Sequence, residues 1–199
     1  MAEQAPTVGS AGRSRRLDED RAQAILRAAY ELLAETGYQG LRVDAVAARA
    51  QASKATLYRH WPTKAGLVVD AVSCCREVEA PPGDTGSLRG DLMQWFWQIG
   101  ETITGREGPI LAGLFMAMQT DPDLAAELRA MRDSKVPFAE AICARAGERG
   151  ELGPGYDAQL IDEIVPALLF MHCFALGEPL DEPYIVHLVD DIILPLLTR

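Results

Sequence analysis

The stretch 53-SKATLYRHWPTKAGL-67 decides how this chain is read. Within fifteen residues it holds two lysines, an arginine, a histidine, a tyrosine and a tryptophan, in a chain whose formal net charge is -10. Such a cluster surrounds a reactive group, faces an anionic surface, or is a mixed helix exterior. Helical geometry narrows the choice. Ser53 suits an N-cap, because its hydroxyl can accept from first-turn amides that have no helical partner. The helix it starts runs to about Trp61. At 100° per residue, Leu57 and Trp61 share one side, and Ala55 and Arg59 point the other way. Tyr58 and Thr56 lie on the flanks, with Lys54 and His60 at the margins. The outer surface is then small, cationic and hydrogen-bonding.

The helix before it, 43-VDAVAARA-50, repeats Val43, Val46, Ala47 and Ala50, and a break of about three residues joins the two. Two short helices so joined make a helix-turn-helix, whose second helix enters a major groove about 12 Å wide. Pro62-Thr63-Lys64 starts a fourth helix with Thr63 as N-cap. A lysine in a first turn opposes the helix dipole unless an anion joins it, and amides plus an ammonium make a phosphate site. Tyr58, His60 and Lys64 are therefore expected on the DNA backbone, with Lys54, Ala55, Thr56 and Arg59 nearer the base edges.

Charge is distributed to match. Residues 1–66 carry a net of +3 and residues 67–199 a net of -13. An acidic average is thus compatible with a nucleic-acid partner that meets the first third of the chain. The composition, 48% apolar and 24% charged, is that of a globular protein. No apolar run is read as long enough to span a bilayer, and MAEQAPTVGSAGRSRR lacks the apolar core of a secretory signal. Cys74, Cys75, Cys143 and Cys173 match neither a zinc pattern nor a disulfide framework, and are expected to be reduced and mostly buried. No metal or cofactor is expected. Neither His60 nor His172 belongs to a nucleophile motif, and 147-GERGELGPGY-156 is no phosphate cradle, so an enzyme is not expected.

The periodicity is helical throughout, and the expected fold class is all-α with about nine helices. Residues 1–17 read as a flexible basic arm, 18–66 as a helix-turn-helix DNA-binding domain, and 67–199 as a larger helical domain entered through a connecting helix, 67–79. The first helix covers 18–37, with Gly37 at its C-terminal cap. After an 80–87 linker come helices over 88–104 and near 109–119, one from Asp121-Pro122 through Ile142, and two strongly apolar helices at the end.

The run from about Arg21 to Ala71 resembles the DNA-binding domain of TetR-family transcriptional regulators. The likeness rests on ETGYQGLRV, DAVAARA and SKATLYRHWPTKAGL, above all on Thr56, Leu57, Tyr58, His60, Trp61 and Lys64. It implies a cytoplasmic prokaryotic regulator, usually a homodimeric repressor on a palindromic operator, released by a small molecule, with 67–199 as its ligand-binding and dimerisation domain. The DNA-binding set is then Arg42, Ser53, Lys54, Ala55, Thr56, Tyr58, Arg59, His60 and Lys64. Two positions depart from the family pattern. Arg42 stands where a capping Thr or Ser is usual, and Gln51 replaces a turn glycine that favours positive φ. Trp95, Ile99, Phe115, Met118, Phe138, Phe170 and Phe174 are candidates to line an apolar ligand cavity. Ile161, Ile164, Val165, Leu168, His172, Ile185, Leu188, Val189 and Ile192 are candidates for a dimeric four-helix bundle.

Overall fold

A computed structural model of the protein describes residues 9–75, 82–133 and 138–199. Among them the regular elements are helices only: α1 (Gly9–Gly40), α2 (Val43–Arg49), α3 (Lys54–His60), α4 (Lys64–Cys75), α5 (Leu88–Thr104), α6 (Gly108–Ala117), α7 (Pro122–Asp133), α8 (Phe138–Glu148), α9 (Ala158–Phe170), α10 (Glu182–His187) and α11 (Leu194–Thr198). A π-helical segment, Met171–Leu176, extends α9, and another, Leu188–Ile193, joins α10 to α11. The all-α expectation holds.

Two boundaries differ from the sequence reading. Helix α1 begins at Gly9, so residues 9–17 of the expected arm are helical. Extending an existing helix adds one hydrogen bond per residue without a new nucleus. The helix expected from Asp121 through Ile142 is described as α7 and α8, and residues 134–137 between them lie outside the described residues. Residues 1–8 of the arm, 76–79 of the connecting helix and 80–81 of the linker lie outside the described residues. Gly37 has φ 67 and ψ 174, a kink inside α1 where the helix was expected to end.

Two compact units result, and their limits differ from the expected domains. One comprises residues 1–76 with 113–132; the other comprises 77–112 with 133–199. Helix α4 thus belongs with the N-terminal helices, as does a later segment spanning parts of α6 and α7. In this first unit α1 packs along α4 and against α2, burying Ile25, Ala29, Leu33, Val68, Ala71 and Val72 to 2% exposure or less.

The second unit is built on α5, α8, α9 and the α10–α11 helix, around Trp95, Phe96, Ile142, Leu169 and Ile193. A carboxylate lies inside it. Asp91 is fully buried, and accepts from the Thr85 hydroxyl at 2.6 Å, the Thr85 amide at 2.8 Å and the guanidinium groups of Arg145 and Arg149 at 3.3 and 3.2 Å. With that many donors the charge is accommodated away from water. Arg89 adds a bidentate pair to Asp190, tying α5 to the closing helix.

The run Ala158–Leu176 corrects another expectation. Its 19 residues have a mean hydropathy of 1.5, long and apolar enough to cross a membrane by length and composition. The sequence reading found no apolar run of that length, whereas α9 and its π-helical extension follow one another without a break over this run. Only 22% of this run is buried by the chain's own packing.

Candidate nucleic-acid interface

The turn between α2 and α3 is made by Ala50, Gln51 and Ala52. Gln51 has φ 51, and is the single non-glycine residue of positive φ among those described. The missing glycine therefore did not relocate the turn; it left a side chain in the left-handed region, at a cost of roughly 1–2 kcal/mol. Amide bonds close the turn around it, from Gln51 to Ala48 at 3.2 Å and from Ala52 to Ala47 at 2.9 Å. Arg42 sits at the start of α2 with no side-chain cap, as its chemistry dictates, and its side chain is exposed.

Helix α3 has the two-faced character its spacing implies. Ser53 accepts from the Thr56 amide at 3.1 Å and shares a hydrogen bond with the Thr56 hydroxyl at 2.9 Å. Leu57 is fully buried and Trp61 nearly so, with the indole N–H donating to Asp70 at 2.8 Å. Ser53, Lys54, Ala55, Tyr58, Arg59 and His60 are exposed, and Thr56 is half-buried. Tyr58 keeps half its surface in solvent, an unusual place for a large aromatic side chain unless its hydroxyl serves a partner.

Two features of this face were not legible in sequence. The first is that its cations already hold carboxylates. Lys54 pairs with Asp44 at 2.7 Å, and Asp18 lies 3.4 Å from Arg59 and 3.7 Å from His60. Asp44 belongs to α2 and Asp18 to α1, so these pairs exist only because three helices converge. The second concerns Lys64. Its ammonium lies 4.4 Å from the centroid of the Tyr38 ring, whose hydroxyl donates to Asp121 at 2.6 Å. Burial pulls the Lys64 pKa down from its ordinary value, while the Asp121 charge acts against that. Half-buried and placed over an aromatic face, Lys64 is less available than the exposed cations of α3. Its N-cap is as expected: the Thr63 hydroxyl accepts from the Gly66 amide at 3.0 Å.

A cationic, hydrogen-bonding helix exterior, set by a short turn against a second helix, is what a major-groove reader needs. Family comparison agrees. Residues 25–71 match the family of bacterial regulatory proteins, tetR family, and residues 82–192 match the tetracyclin repressor-like C-terminal domain. The chain belongs to the TetR family. It is a transcriptional regulator with a DNA-binding domain, and its relatives are regulators rather than enzymes. It is 36% identical over 183 residues to the DNA-binding transcriptional repressor TetR of Mycobacteroides abscessus, covering 90% of this chain and 95% of that one. The uncharacterized HTH-type transcriptional regulator YdeS of Bacillus subtilis is 32% identical, over 89% and 90% of the two chains. Among solved structures, the TetR family transcription regulator SCO0332 superposes with a TM-score of 0.71 at 29% identity, covering 88% of this chain and 97% of that one. The Bacillus subtilis regulator FadR, solved in complex with stearoyl-CoA, shares the fold at TM-score 0.57 and 15% identity, over 87% and 96%.

The candidate ligand residues of this TetR-family regulator are shared between the two units. Trp95, Ile99, Phe138, Phe170 and Phe174 belong to the second unit, whereas Phe115 and Met118 belong to the first. Trp95 is core, packed edge-on to Phe96, and Phe170 and Phe174 sit with ring centroids 4.6 Å apart. Phe115 is half exposed. The candidate dimer residues divide by their burial within the chain. Ile161, Val165, Ile185, Leu188 and Val189 are consumed by the chain's own core, each at 2% exposure or less. His172 is buried too, its Nε2 bonded to the Pro179 carbonyl at 3.1 Å and its ring stacked 3.6 Å from that of Tyr184. Ile164, Leu168 and Ile192 remain half-buried. Helical spacing left two adjacent apolar stripes on α9, and only packing tells which faces inward.

Proposed function

We propose that this regulator is a homodimeric repressor, held on a palindromic operator by the α2–α3 motif and released by a small apolar molecule. The observation that carries the reading is the exterior of α3, where Lys54, Ala55, Tyr58, Arg59 and His60 face solvent while Leu57 and Trp61 are turned inward. Tyr58 and His60 serve backbone phosphates, with Arg42 reaching the same strand from α2; Ser53, Lys54, Ala55, Thr56 and Arg59 face the groove. Lys64 joins the phosphates only by exchanging Tyr38 and Asp121 for DNA. Repression is favoured by the relative named as a repressor. Such a protein works in the bacterial cytoplasm, on the nucleoid.

The dimer face is the second stripe of α9: Leu160, Ile164, Leu168 and Met171, one residue out of step with the core stripe Ile161, Val165, Leu169 and His172. Leu160 and Met171 are 47% and 56% exposed, and Leu196 on the closing helix is 51% exposed. An apolar stripe of this length on a single chain calls for a partner helix.

For the ligand we place Trp95, Ile99, Phe138, Phe170 and Phe174 around an apolar body. Two buried acceptors of the same unit, Gln98 Oε1 and Asp162 Oδ2, receive no hydrogen bond, and favour a ligand that carries a donor. FadR, a fold neighbour, was solved with stearoyl-CoA, a ligand with a long apolar acyl chain. Dimeric helix-turn-helix proteins need half-sites about 34 Å apart or multiples of it, so a ligand that prefers another spacing of the two motifs releases the operator.

Selection of bound duplexes from a random pool tests the reading. A palindrome is expected, and Tyr58→Phe should weaken binding to all selected sequences about tenfold, the loss of one hydrogen bond to a charged phosphate. Recovery of no enriched sequence at moderate salt would overturn the regulator's DNA specificity, and a Tyr58→Phe protein that binds normally would remove the phosphate contact.

A further inference from the structure

The two adjacent cysteines at the end of α4 are used by neither the fold nor the DNA face. Expected as mostly buried thiols, the four cysteines divide otherwise: Cys143 is buried, Cys75 and Cys173 are intermediate, and Cys74 is exposed. Cys143 behaves as a packing residue, its thiol pushed up to about 11 by burial. Cys75 lies on α4 near Arg27 and Glu31 of α1, with the Cys74 thiol as its neighbour. A solvent-reachable thiol therefore stands beside a half-sheltered one.

Geometry decides what such a pair can do. Neighbouring Cα atoms are about 3.8 Å apart, shorter than the roughly 4.4–6.8 Å that disulfides span, so direct S–S closure requires backbone distortion. Burial raises the Cys75 pKa, which keeps it a thiol and makes it a poor nucleophile toward peroxides or alkylating agents. An atom inserted between the sulfurs lifts the first restriction, because the two sulfurs then stay non-bonded. Soft thiol ligands also select thiophilic centres over the hard cations that carboxylates would hold. No set of three or more His, Cys, Asp or Glu side chains among the described residues could hold a metal ion, so a centre satisfied by two sulfurs is required.

We propose that Cys74 and Cys75 form a two-thiol site for trivalent arsenicals. An organoarsenic(III) oxide reacts by condensation. Both S–H bonds and the arsenic–oxygen bonds break, two As–S bonds form, and the two protons leave with the oxygen as one water. Arsenic stays trivalent, and no oxidant or reductant is needed. The site is independent of the repressor reading, since it concerns a chelate on the protein whether or not DNA is bound.

The test uses the full-length reduced protein and phenylarsine oxide, read by intact-mass spectrometry and peptide mapping. One adduct is expected, heavier than the protein by phenylarsenic less two hydrogens, mapped to the peptide that contains both cysteines. A 1,2-dithiol should remove it and a monothiol at equal concentration should not. Cys74→Ser and Cys75→Ser should each weaken capture on the order of a hundredfold, the loss of one arm of a chelate. Cys143→Ser and Cys173→Ser should leave it unchanged. Because Cys74 is exposed, Cys74→Ser tests the site without disturbing the core. No adduct, an adduct mapped to Cys143 or Cys173, or one retained by Cys74→Ser overturns the proposal.

Discussion

The Tyr38 hydroxyl donates to the Asp121 carboxylate at 2.6 Å across 83 residues of sequence. Asp121 also caps α7, accepting from the Leu124 amide at 3.0 Å. One carboxylate thereby ties the end of α1 to the start of α7, and Lys64 of α4 rests on the Tyr38 ring beside it. Three helices of the first unit meet in a single polar contact. Tyr38→Phe keeps the ring under Lys64 and removes only the hydrogen bond. The expected loss is about 1 kcal/mol, at the low end for a bond to a charged group because Asp121 is partly solvated. A shift of the urea midpoint at unchanged slope would show it.

The same contact should weaken in acid. The Tyr38 hydrogen bond, then the Leu124 amide, hold the Asp121 carboxyl below its ordinary value. A carboxyl depressed on folding contributes stability that is present in full above its unfolded pKa, near 3.9, and is lost as pH falls through the folded value. Asp121→Asn should therefore be less stable than the parent by a constant amount from pH 7 to about 5, and the two should converge below pH 4. Stability curves that stay parallel to pH 2 would exclude this assignment. On the basic side, burial, then the hydrogen bond to Asp121 and then its charge raise the Tyr38 pKa, so its contribution persists up to about pH 10 and is lost only as pH rises further.

Gln51 offers a gain. Its φ of 51 is a conformation that glycine adopts freely. Gln51→Gly should stabilise the first unit by about 1 kcal/mol, somewhat reduced by the extra freedom glycine gives the unfolded chain. Thermal or urea unfolding that shows a loss would mean the Gln51 side chain makes a contribution larger than its strain.

On the proposed DNA face, the Asp44 carboxylate holds the Lys54 ammonium at 2.7 Å, and DNA would have to draw Lys54 away from it. Both partners are well exposed, so the pair is worth no more than about 1 kcal/mol. Asp44→Asn should tighten operator binding by up to about fivefold, and more at low salt than at high salt. Fluorescence anisotropy across a salt series reads this directly, and unchanged affinity at every salt concentration would show that Lys54 does not move to DNA.

The proposed dimer face separates from the core by its exposure. Met171→Glu alters a residue that is 56% exposed on the single chain, so the fold should survive while the dimer dissociates. Sedimentation should then find folded monomer with normal helicity. A Met171→Glu protein that remains dimeric would move the interface elsewhere.

Much of the DNA-binding motif could be read from local rules, because its determinants are local. Ser53 caps α3 from three residues away, Leu57 and Trp61 share a face through helical spacing, and Gln51 keeps a turn that tolerates glycine better. The candidate ligand and dimer sets were less legible. On α9 the stripe at Leu160, Ile164, Leu168 and Met171 is as apolar as the one at Ile161, Val165, Leu169 and His172, and hydropathy does not rank them. Which stripe enters the core depends on α5, α8 and the closing helix, which arrive from elsewhere in the chain.

By itself the sequence determined the all-α class, the recognition helix, its caps and its inward anchors. Each depends on hydrogen bonds and spacing within a turn or two, where neighbouring residues alone set the energy. Tertiary structure decided that Lys64 lies on Tyr38 beside Asp121, that Asp44 and Asp18 sit on the cations of α3, and that residues 113–132 join the N-terminal unit. Those outcomes are contacts between distant segments. Their energies exist only once burial has brought the segments together, and so no local pattern records them.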